Sequence, residues 1–257
     1  MLLLQSIENG VLRIALNRPT SYNAFNREMA LALQSLLDAA EANDQVRAIL
    51  LTGEGKAFCS GQDLGEAIDP AGPGLDRILN EHYNPLVLKM RRVLKPIVVA
   101  VNGVAAGAGA NLALAGDIVV ASENATFIQA FSKIGLIPDT GGTLTLPRLV
   151  GPAKALAWML LGDKVSAQEA ERSGMIYKVF SPETFLEEAW KLAESLAQAP
   201  TQAFALTKQA VNASTFAGLE EQLELERALQ NQAGATHDFK EGVAAFLEKR
   251  APRFTGK

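Results

Sequence analysis

The segment KPIVVAVNGVAAGAGANLALAGD, from Lys95 to Asp117, combines a strand signal with a turn signal. Its first part, KPIVVAVN, is an apolar, β-branched run with the length and composition of a buried parallel strand. A Gly/Ala-rich turn from Gly103 to Gly109 follows directly and opens a helix. Such a turn presents free backbone N–H groups, which suit an anionic oxygen. It is equally compatible with close helix–strand packing. A phosphate can use the same donors, although neither Walker A nor G-x-G-x-x-G spacing is convincingly present.

Strands and helices alternate on both sides of this segment. Amphipathic spacing predicts a helix over Asn26 to Asn43, between two strands. The strands are predicted at Gly10 to Leu16, Ala48 to Thr52, Ile97 to Val101, Asp117 to Ala121 and Ile176 to Phe180. A further helix is predicted over Ala153 to Leu161, and Ser166 opens a short one with capping-box spacing. Repeated β-α alternation favours an α/β core.

The chain changes character after Pro182, where four helices follow one another. They are predicted over residues 184–199, 201–214, 218–234 and 238–249. We therefore expect a core over residues 1–195 that contains the site and a helical oligomerisation region over residues 196–257. The Pro- and Gly-containing segment from Asp69 to Pro73 is predicted to be a mobile loop beside the site.

Composition argues against several classes of protein. The 257 residues are 48% hydrophobic and 20% charged, which is incompatible with a mainly disordered chain. A net charge of −4 argues against a nucleic-acid binder, and no apolar run reaches the roughly 18 to 20 residues of a membrane span. The N-terminal MLLLQSIENG lacks the basic start of a signal peptide. With one cysteine and two histidines, neither an internal disulfide nor a metal cluster is expected, and a cytoplasmic location is predicted.

Two further motifs point to one site. KAFCSGQDL, from Lys56 to Leu64, follows the strand at Ala48 to Thr52 and is again rich in small residues. Both small-residue turns fall at the carboxyl ends of strands, where open α/β folds bind ligands. Backbone donors from two separate strands can form an oxyanion hole. The motif GLIPDTGGT adds one carboxylate, Asp139, as a candidate acid/base.

Five motifs occur in an order and spacing that resemble the enoyl-CoA hydratase/isomerase (crotonase) superfamily. They are NRPTSYNAFNREM, AFCSGQDL, KPIVVAVNGVAAGAGANLALAGD, GLIPDTGGT and the C-terminal FLEKRAPRF. The resemblance covers essentially the whole chain. It implies an α/β fold of the crotonase type, a spiral of β-β-α turns with a C-terminal all-helical trimerisation region. It also implies an acyl-CoA substrate, assembly as a trimer or a dimer of trimers, and no cofactor or metal beyond the coenzyme A of the substrate.

The resemblance also assigns roles to individual positions. By motif position, the backbone N–H groups of Ser60 and Ala108 hold the enolate oxygen of the thioester. Hydratases of the superfamily use two glutamates. The corresponding positions here are Asn111 and Phe131, so ordinary hydration is disfavoured. Several family isomerases carry an aspartate where this chain has Asp139. The coenzyme A contacts implied by the motifs are Ala24, Gln62, Asp63 and Leu64, and the possible acyl pocket includes Asn111, Phe131 and Ile134.

A single carboxylate suits isomerisation, because one group can take a proton at one carbon and return it at another. Within the superfamily, the motifs resemble most closely the isomerases of phenylacetate degradation. That resemblance implies conversion of ring-1,2-epoxyphenylacetyl-CoA to an oxepin-CoA, together with the shift of a β,γ double bond into α,β conjugation. The alternatives are a Δ3,Δ2- or dienoyl-CoA isomerase of fatty-acid oxidation and, in a different class, a non-catalytic acyl-CoA-binding protein.

Some of these residues also have a purely structural interpretation. Pro-Asp-x-Gly is a common turn, so Asp139 can be a turn residue. Asn111 can satisfy backbone groups inside its helix instead of lying near the substrate. Phe131 and Ile134 are also compatible with core positions, as are Leu136 and Ile137.

The remaining reactive side chains are given structural interpretations. Cys59 has no recognisable histidine partner and is predicted to be a small packed side chain. His82 follows the predicted loop and is expected to face solvent, with reach to the pocket mouth as the other interpretation. His237 is predicted to lie on the surface.

Overall fold

The computed structural model describes all 257 residues and contains two β-sheets of unequal size. The larger sheet has the strand order β1-β2-β3-β5-β7-β10, and the smaller has the order β4-β6-β8-β9. All neighbouring strands are parallel except the pairs β1 with β2 and β8 with β9. The strands are β1 Leu3–Glu8, β2 Val11–Leu16, β3 Ala48–Gly53, β4 Ala57–Cys59, β5 Ile97–Val101, β6 Val104–Ala106, β7 Ile118–Ser122, β8 Thr126–Ile128, β9 Lys164–Ser166 and β10 Lys178–Phe180.

Twelve α-helices surround the sheets, and a π-helical segment, Ile78–Tyr83, joins α3 to α4. Short 3-10 turns lie at Pro19–Ser21 and Ala130–Ile134. None of the helices is long and apolar enough to cross a lipid bilayer. The helices are α1 Arg27–Ala42, α2 Leu64–Ile68, α3 Gly74–Arg77, α4 Asn84–Arg92, α5 Ala108–Leu114, α6 Gly142–Val150, α7 Pro152–Leu161, α8 Ala167–Arg172, α9 Phe185–Ala197, α10 Thr201–Ser214, α11 Leu219–Gly234 and α12 His237–Glu248.

The middle of the chain winds as a spiral. The pairs β3–β4, β5–β6 and β7–β8 each place one strand in the larger sheet and the next in the smaller sheet, and helices follow each pair. This arrangement confirms the predicted α/β class and the β-β-α spiral. The corner between β5 and β6 requires glycine, because a Cβ on Gly103 would lie 2.1 Å from the backbone oxygen of Lys56.

Two apolar clusters hold the layers together. The larger one fills the space between the two sheets and α1, α4 and α5, and it includes Ile49 and Val99. The smaller one lies on the opposite face of the six-stranded sheet, where Leu50 and Val98 pack against α9. The split follows the alternation of side chains along a strand, since neighbouring residues point to opposite faces. The β-branched runs found in the sequence are therefore buried on both sides.

Most of the predicted regular elements are confirmed within one or two residues. Helix α1 is N-capped by the Asn26 side chain, which accepts a hydrogen bond from the Met29 N–H. Helix α8 is capped in the same way by Ser166. The short strands of the smaller sheet were missed, because three residues carry no usable periodicity. Strand β1 was also missed, although it has six residues. A signal for β1 existed in Asn9-Gly10, whose positive φ values of 49° and 80° make the turn between β1 and β2.

The C-terminal helices α9 to α12 agree with the four predicted ones. Helix α9 packs on the larger sheet, and the proposed division at residues 195/196 falls in its last turn. The division into two domains stays a prediction. Helix α10 is tied to the core by buried Lys208, whose Nζ lies 2.8 Å from Asp117 Oδ2 and 2.8 Å from the Met90 backbone oxygen.

Candidate active site

A cavity of about 770 Å³ opens where β4, β6 and β8 end at their carboxyl sides. Its volume lies within the range of roughly 300–1,000 Å³ that is usual for small-molecule sites. All of the predicted site residues except Asn111 line it, namely Ala24, Ser60, Gln62, Asp63, Leu64, Ala108, Phe131, Ile134 and Asp139. The two small-residue turns and the aspartate turn therefore come together, as the sequence predicts.

Ala108 presents a backbone N–H to the cavity. It is the first residue of α5, so its N–H has no acceptor within the helix. The preceding Gly107 has φ 53° and ψ −128°, a conformation that directs the chain sharply from β6 into the helix. The predicted donor role of Ala108 is compatible with this geometry.

The backbone N–H of Ser60, predicted as the second donor of the oxyanion hole, is not free. The Ser60 N–H donates to the Tyr22 backbone oxygen at 3.0 Å and is therefore engaged elsewhere. Phe25 makes a parallel bridge to Gln62, with Phe25 bonded to the backbone of Gly61 and Asp63 on either side. In this pattern the Gln62 N–H points away from Phe25, and it has no acceptor in the protein. The available amide of this turn is that of Gln62, two residues beyond the predicted position.

The two turns are held at contact distance by glycines. A Cβ on Gly109 would lie 2.3 Å from the Cys59 backbone oxygen and 2.7 Å from its Sγ. A Cβ on Gly61, whose φ is +96°, would lie 3.4 Å from the Ala108 nitrogen. Only glycine at these positions lets the end of β4 and the start of α5 approach so closely. We call the wall of the cavity formed by the N–H groups of Gln62 and Ala108 the amide wall.

Asp139 supplies a half-buried carboxylate to the same cavity. Thr140 Oγ1 donates to Asp139 Oδ1 at 2.6 Å. Burial raises the pKa of Asp139 above the usual aspartate value, and the Thr140 hydrogen bond opposes this shift in part. Thr140 and Gly141 both have positive φ, 55° and 77°, so the turn that carries the carboxylate is tightly folded. Asp139 is thus more than a generic turn residue, since its side chain reaches a cavity and is partly desolvated.

Asn111 positions this turn and does not line the cavity. Its Nδ2 donates to the Asp139 backbone oxygen at 2.9 Å, and its Oδ1 accepts from Gln129 Nε2 at 2.8 Å. A Cβ on Gly142 would lie 2.1 Å from Asn111 Nδ2, so glycine there makes room for the amide. Asn111, predicted as a possible acyl-pocket residue, lies outside the lining of this cavity. Its side chain hydrogen-bonds a backbone group, as the structural interpretation predicts. That group is the Asp139 backbone oxygen, which lies outside the helix that carries Asn111.

Asp63 is the other carboxylate of the cavity, and it is already paired. Arg18 Nη2 donates to Asp63 Oδ2 at 2.9 Å, and this hydrogen bond lowers the pKa of Asp63. The same guanidinium donates to the Ala24 backbone oxygen. Arg18 therefore joins two of the residues predicted to contact coenzyme A. Of the two lining carboxylates, only Asp139 has its pKa displaced toward neutrality, which is the pattern expected of an acid/base.

The apolar side of the cavity has a buried part and an exposed rim. Phe131 is buried, whereas Ile134 is 53% exposed and Ile137 is 79% exposed. All three line the cavity together with Leu136. Exposed apolar side chains at a cavity mouth favour an apolar ligand, and the core interpretation is wrong for Ile134 and Ile137.

The three remaining reactive side chains discussed above, Cys59, His82 and His237, do not line the cavity. Cys59 is buried, and burial raises the pKa of its thiol to about 12, which disfavours a nucleophilic thiolate. His82 is fully buried rather than solvent-facing, because the π-helical segment turns it toward α1, where its Nε2 lies 3.3 Å from Arg27 Nη1. His237 is largely exposed, as predicted. Tyr83 lines the cavity, and no sequence pattern marked it.

Comparison with known proteins agrees with the fold. Residues 6–257 match a family described as enoyl-CoA hydratase/isomerase. The chain is 49% identical to a 1,2-epoxyphenylacetyl-CoA isomerase of Escherichia coli (strain K12), over 99% of this chain and 98% of that protein. It is 38% identical to a trans-2-decenoyl-[acyl-carrier-protein] isomerase of Streptococcus mutans, over 99% of this chain and 98% of that protein.

Solved structures give the same result. The crystal structure of an enoyl-CoA hydratase from Bacillus anthracis superposes with a TM-score of 0.95 at 30% identity, covering 100% of both chains. A crystal structure titled as a putative enoyl-CoA hydratase/isomerase from Mycobacterium abscessus gives a TM-score of 0.93 at 38% identity, covering 99% of this chain and 100% of that one. The family match and these identities over nearly the full length leave one conclusion. This chain belongs to the enoyl-CoA hydratase/isomerase (crotonase) family.

Proposed function

We propose that this chain is an isomerase of acyl-CoA thioesters in which Asp139 is the acid/base and the N–H groups of Ala108 and Gln62 form the oxyanion hole. The observation that carries the proposal is the pairing of one carboxylate of raised pKa, Asp139, with two free backbone amides in a single cavity. Ser60 remains a lining residue and contributes no free amide.

The reaction needs one proton carrier and no water. Asp139 takes a proton from the α-carbon, and the electron pair of that bond moves into the thioester, whose carbonyl oxygen becomes an enolate. The amide wall stabilises this charge. Removing one donor of an oxyanion hole typically lowers the rate by about 10²–10³. Asp139 then returns the proton at the γ-carbon, and the double bond moves into α,β conjugation. No atom is gained or lost, so no cofactor is required.

The substrate we favour is ring-1,2-epoxyphenylacetyl-CoA, converted to an oxepin-CoA. The support is the 49% identity with the E. coli isomerase named for that compound. The apolar side at Phe131 and Ile134 also suits a ring. The α-carbon of a phenylacetyl thioester lies between the ring and the carbonyl, where a single carboxylate facing an oxyanion hole can act on it.

A second candidate is an aliphatic Δ3,Δ2- or dienoyl-CoA isomerase. The observation that favours it is the 38% identity with the decenoyl isomerase of S. mutans, which is named for an aliphatic acyl chain. The exposed rim at Ile134 and Ile137 would also accept such a chain. The chemistry at Asp139 is the same in both cases, so only the acyl group separates them.

The test is an ultraviolet assay of the purified protein with ring-epoxide, β,γ-enoyl and α,β-enoyl thioesters of coenzyme A. We expect turnover of the first two, with the epoxide preferred, and little hydration of the third. A preference for aliphatic β,γ-enoyl thioesters would favour the second candidate. Binding of all three without turnover would overturn the proposal and support a non-catalytic acyl-CoA-binding protein.

We also infer that copies of the chain associate through the C-terminal helices. Phe216, Leu219, Phe246 and Leu247 are each at least 73% exposed, and they all lie in or beside α10 to α12. Large exposed apolar side chains that form a patch mark protein–protein contacts, and these four support such a contact. A trimer or a dimer of trimers is expected, and light scattering of the purified protein tests it.

A further inference from the structure

Tyr83 places a buried polar group in the cavity that the proposed proton transfer does not use. Its side chain is 1% exposed and lines the same cavity as Asp139. Its hydroxyl has no hydrogen-bond partner in the protein. Leaving a buried donor unpaired is costly, so such a group in a binding cavity is explained by a ligand atom that completes it.

The fold holds Tyr83 beside the turn that carries Asp139. Tyr83 is the last residue of the π-helical segment, and Val87 lies about one helical turn further along, on the same face. A Cβ on Gly141 would lie 3.8 Å from Val87 Cγ1, so this face touches the aspartate turn. The Tyr83 ring packs against Phe25 with ring centroids 6.0 Å apart, which fixes its position.

The hydroxyl is suited to donate rather than to act as a base. Burial raises the pKa of Tyr83 well above its usual value, and the negative charge of Asp139 acts in the same direction. The phenol therefore keeps its proton, and its partner in the cavity has to be an acceptor. Asp139 makes no hydrogen bond to the Tyr83 hydroxyl, so the carboxylate does not supply this acceptor.

We propose that the Tyr83 hydroxyl donates a hydrogen bond to an oxygen on the acyl group and so selects oxygenated aromatic acyl-CoA thioesters over plain hydrocarbon ones. The inference rests on the proposed function, because it concerns the acyl group held at the same site. A site built to bond a substrate oxygen discriminates against the analogue that lacks it, since the protein group is then left unpaired. A ring epoxide offers such an oxygen, and a β,γ-enoyl chain offers none besides the thioester carbonyl oxygen, which the amide wall holds.

The experiment compares two stable probes, 2-hydroxyphenylacetyl-CoA and phenylacetyl-CoA, by calorimetry with the full chain. The first carries an oxygen on the ring carbon where the epoxide oxygen would lie, and the second lacks it. The proteins are wild type, Tyr83→Phe, and Tyr177→Phe as a matched control, because Tyr177 is 65% exposed and does not line the cavity. Isomerisation of an aliphatic β,γ-enoyl-CoA is measured in parallel as a readout that needs no acyl oxygen.

We expect wild type and Tyr177→Phe to bind 2-hydroxyphenylacetyl-CoA about tenfold more tightly than phenylacetyl-CoA, a difference of about 1.4 kcal/mol. In Tyr83→Phe this preference should vanish through weaker binding of the hydroxylated probe, with binding of phenylacetyl-CoA and the melting temperature kept. An equal preference in Tyr83→Phe, or none in wild type, would overturn the inference while leaving the proposed function intact. If wild type binds neither probe and isomerises nothing, the proposed function fails and the inference fails with it.

Discussion

The two walls of the cavity are built from different kinds of interaction. The amide wall at Gln62 and Ala108 is backbone packed on backbone, and glycines allow the approach. The opposite wall, formed by Tyr83 and Asp139, consists of side chains, and we call it the side-chain wall. Its aspartate turn has two left-handed residues and is held by the Asn111 amide. The amide wall therefore depends on the absence of side chains, and the side-chain wall depends on a few hydrogen bonds.

This difference shows how each wall fails. Replacing the side chains of Gln62 or Ala108 leaves the backbone N–H groups in place, so the amide wall is sensitive mainly to added volume. The side-chain wall is sensitive mainly to changes in its polar atoms. Oxyanion stabilisation and proton transfer are separate contributions to rate, so the two walls can be tested one at a time.

The largest expected effect is at the acid/base itself. Asp139→Asn is nearly isosteric, but the amide cannot exchange a proton at neutral pH, so we expect at least about a hundredfold loss of β,γ-enoyl-CoA isomerisation. Binding of phenylacetyl-CoA should be kept, because the amide wall is untouched. Formation of the conjugated product, followed in the ultraviolet, measures the loss. Near-normal turnover would remove Asp139 from the mechanism.

The amide wall is tested by adding one carbon at Gly109. Gly109→Ala places a Cβ against the Cys59 backbone oxygen and Sγ, which forces the start of α5 away from β4. We expect kcat to fall by about tenfold to a hundredfold, within the range for loss of one oxyanion-hole donor. Gly234→Ala is the control, because a Cβ there meets nothing within 4 Å. Equal activity of the two variants would show that the close approach is not required.

The support of the aspartate turn is tested at Asn111. Asn111→Ala leaves the Asp139 backbone oxygen and Gln129 Nε2 without this partner, at a cost of about 1–3 kcal/mol in the free energy of unfolding. We expect kcat to fall roughly tenfold with KM little changed, since the carboxylate remains but is less well positioned. Denaturant unfolding and steady-state kinetics measure the two effects. Asn80→Ala, which removes an exposed amide, should change neither.

The smallest expected effect is on stability. Because the pKa of Asp139 is raised in the folded state, its ionised form destabilises the fold at neutral pH. Asp139→Asn should therefore melt higher than wild type at pH 7, by about 1–3 °C given partial solvent screening. The gain should shrink as the pH falls through the raised pKa and vanish below the usual aspartate value near 4. A gain that does not change with pH would have another cause.

The contrast between the walls also explains what the sequence could reveal. The long strands β3 and β5 and the helix α1 follow from apolar periodicity and a cap at Asn26. The motifs located both turns and Asp139, yet they misplaced one donor. Whether the N–H of Ser60 or Gln62 is free depends on which of them bonds to the chain near Tyr22 and Phe25. That pairing joins segments far apart in sequence, and no local pattern encodes it.

The side-chain wall was harder to predict from the sequence for a similar reason. Asn111 was placed in the pocket because its position holds a glutamate in hydratases, but its amide turns to the Asp139 backbone once Gly142 makes room. Tyr83 belongs to a π-helical segment, whose register differs from the α-helical pattern used to assign faces. The burial of Tyr83 depends on the packing of α4 against the aspartate turn, a contact that the sequence pattern does not encode.

In the proposed reaction, Asp139 removes a proton from the α-carbon of a thioester held by the amide wall. The most direct measurement is proton NMR of phenylacetyl-CoA in D₂O with wild type and with Asp139→Asn, following exchange of the α-protons for deuterium. We expect enzyme-catalysed exchange with wild type and only the background rate with the variant. Equal exchange with both proteins, or none above background with wild type, would contradict it.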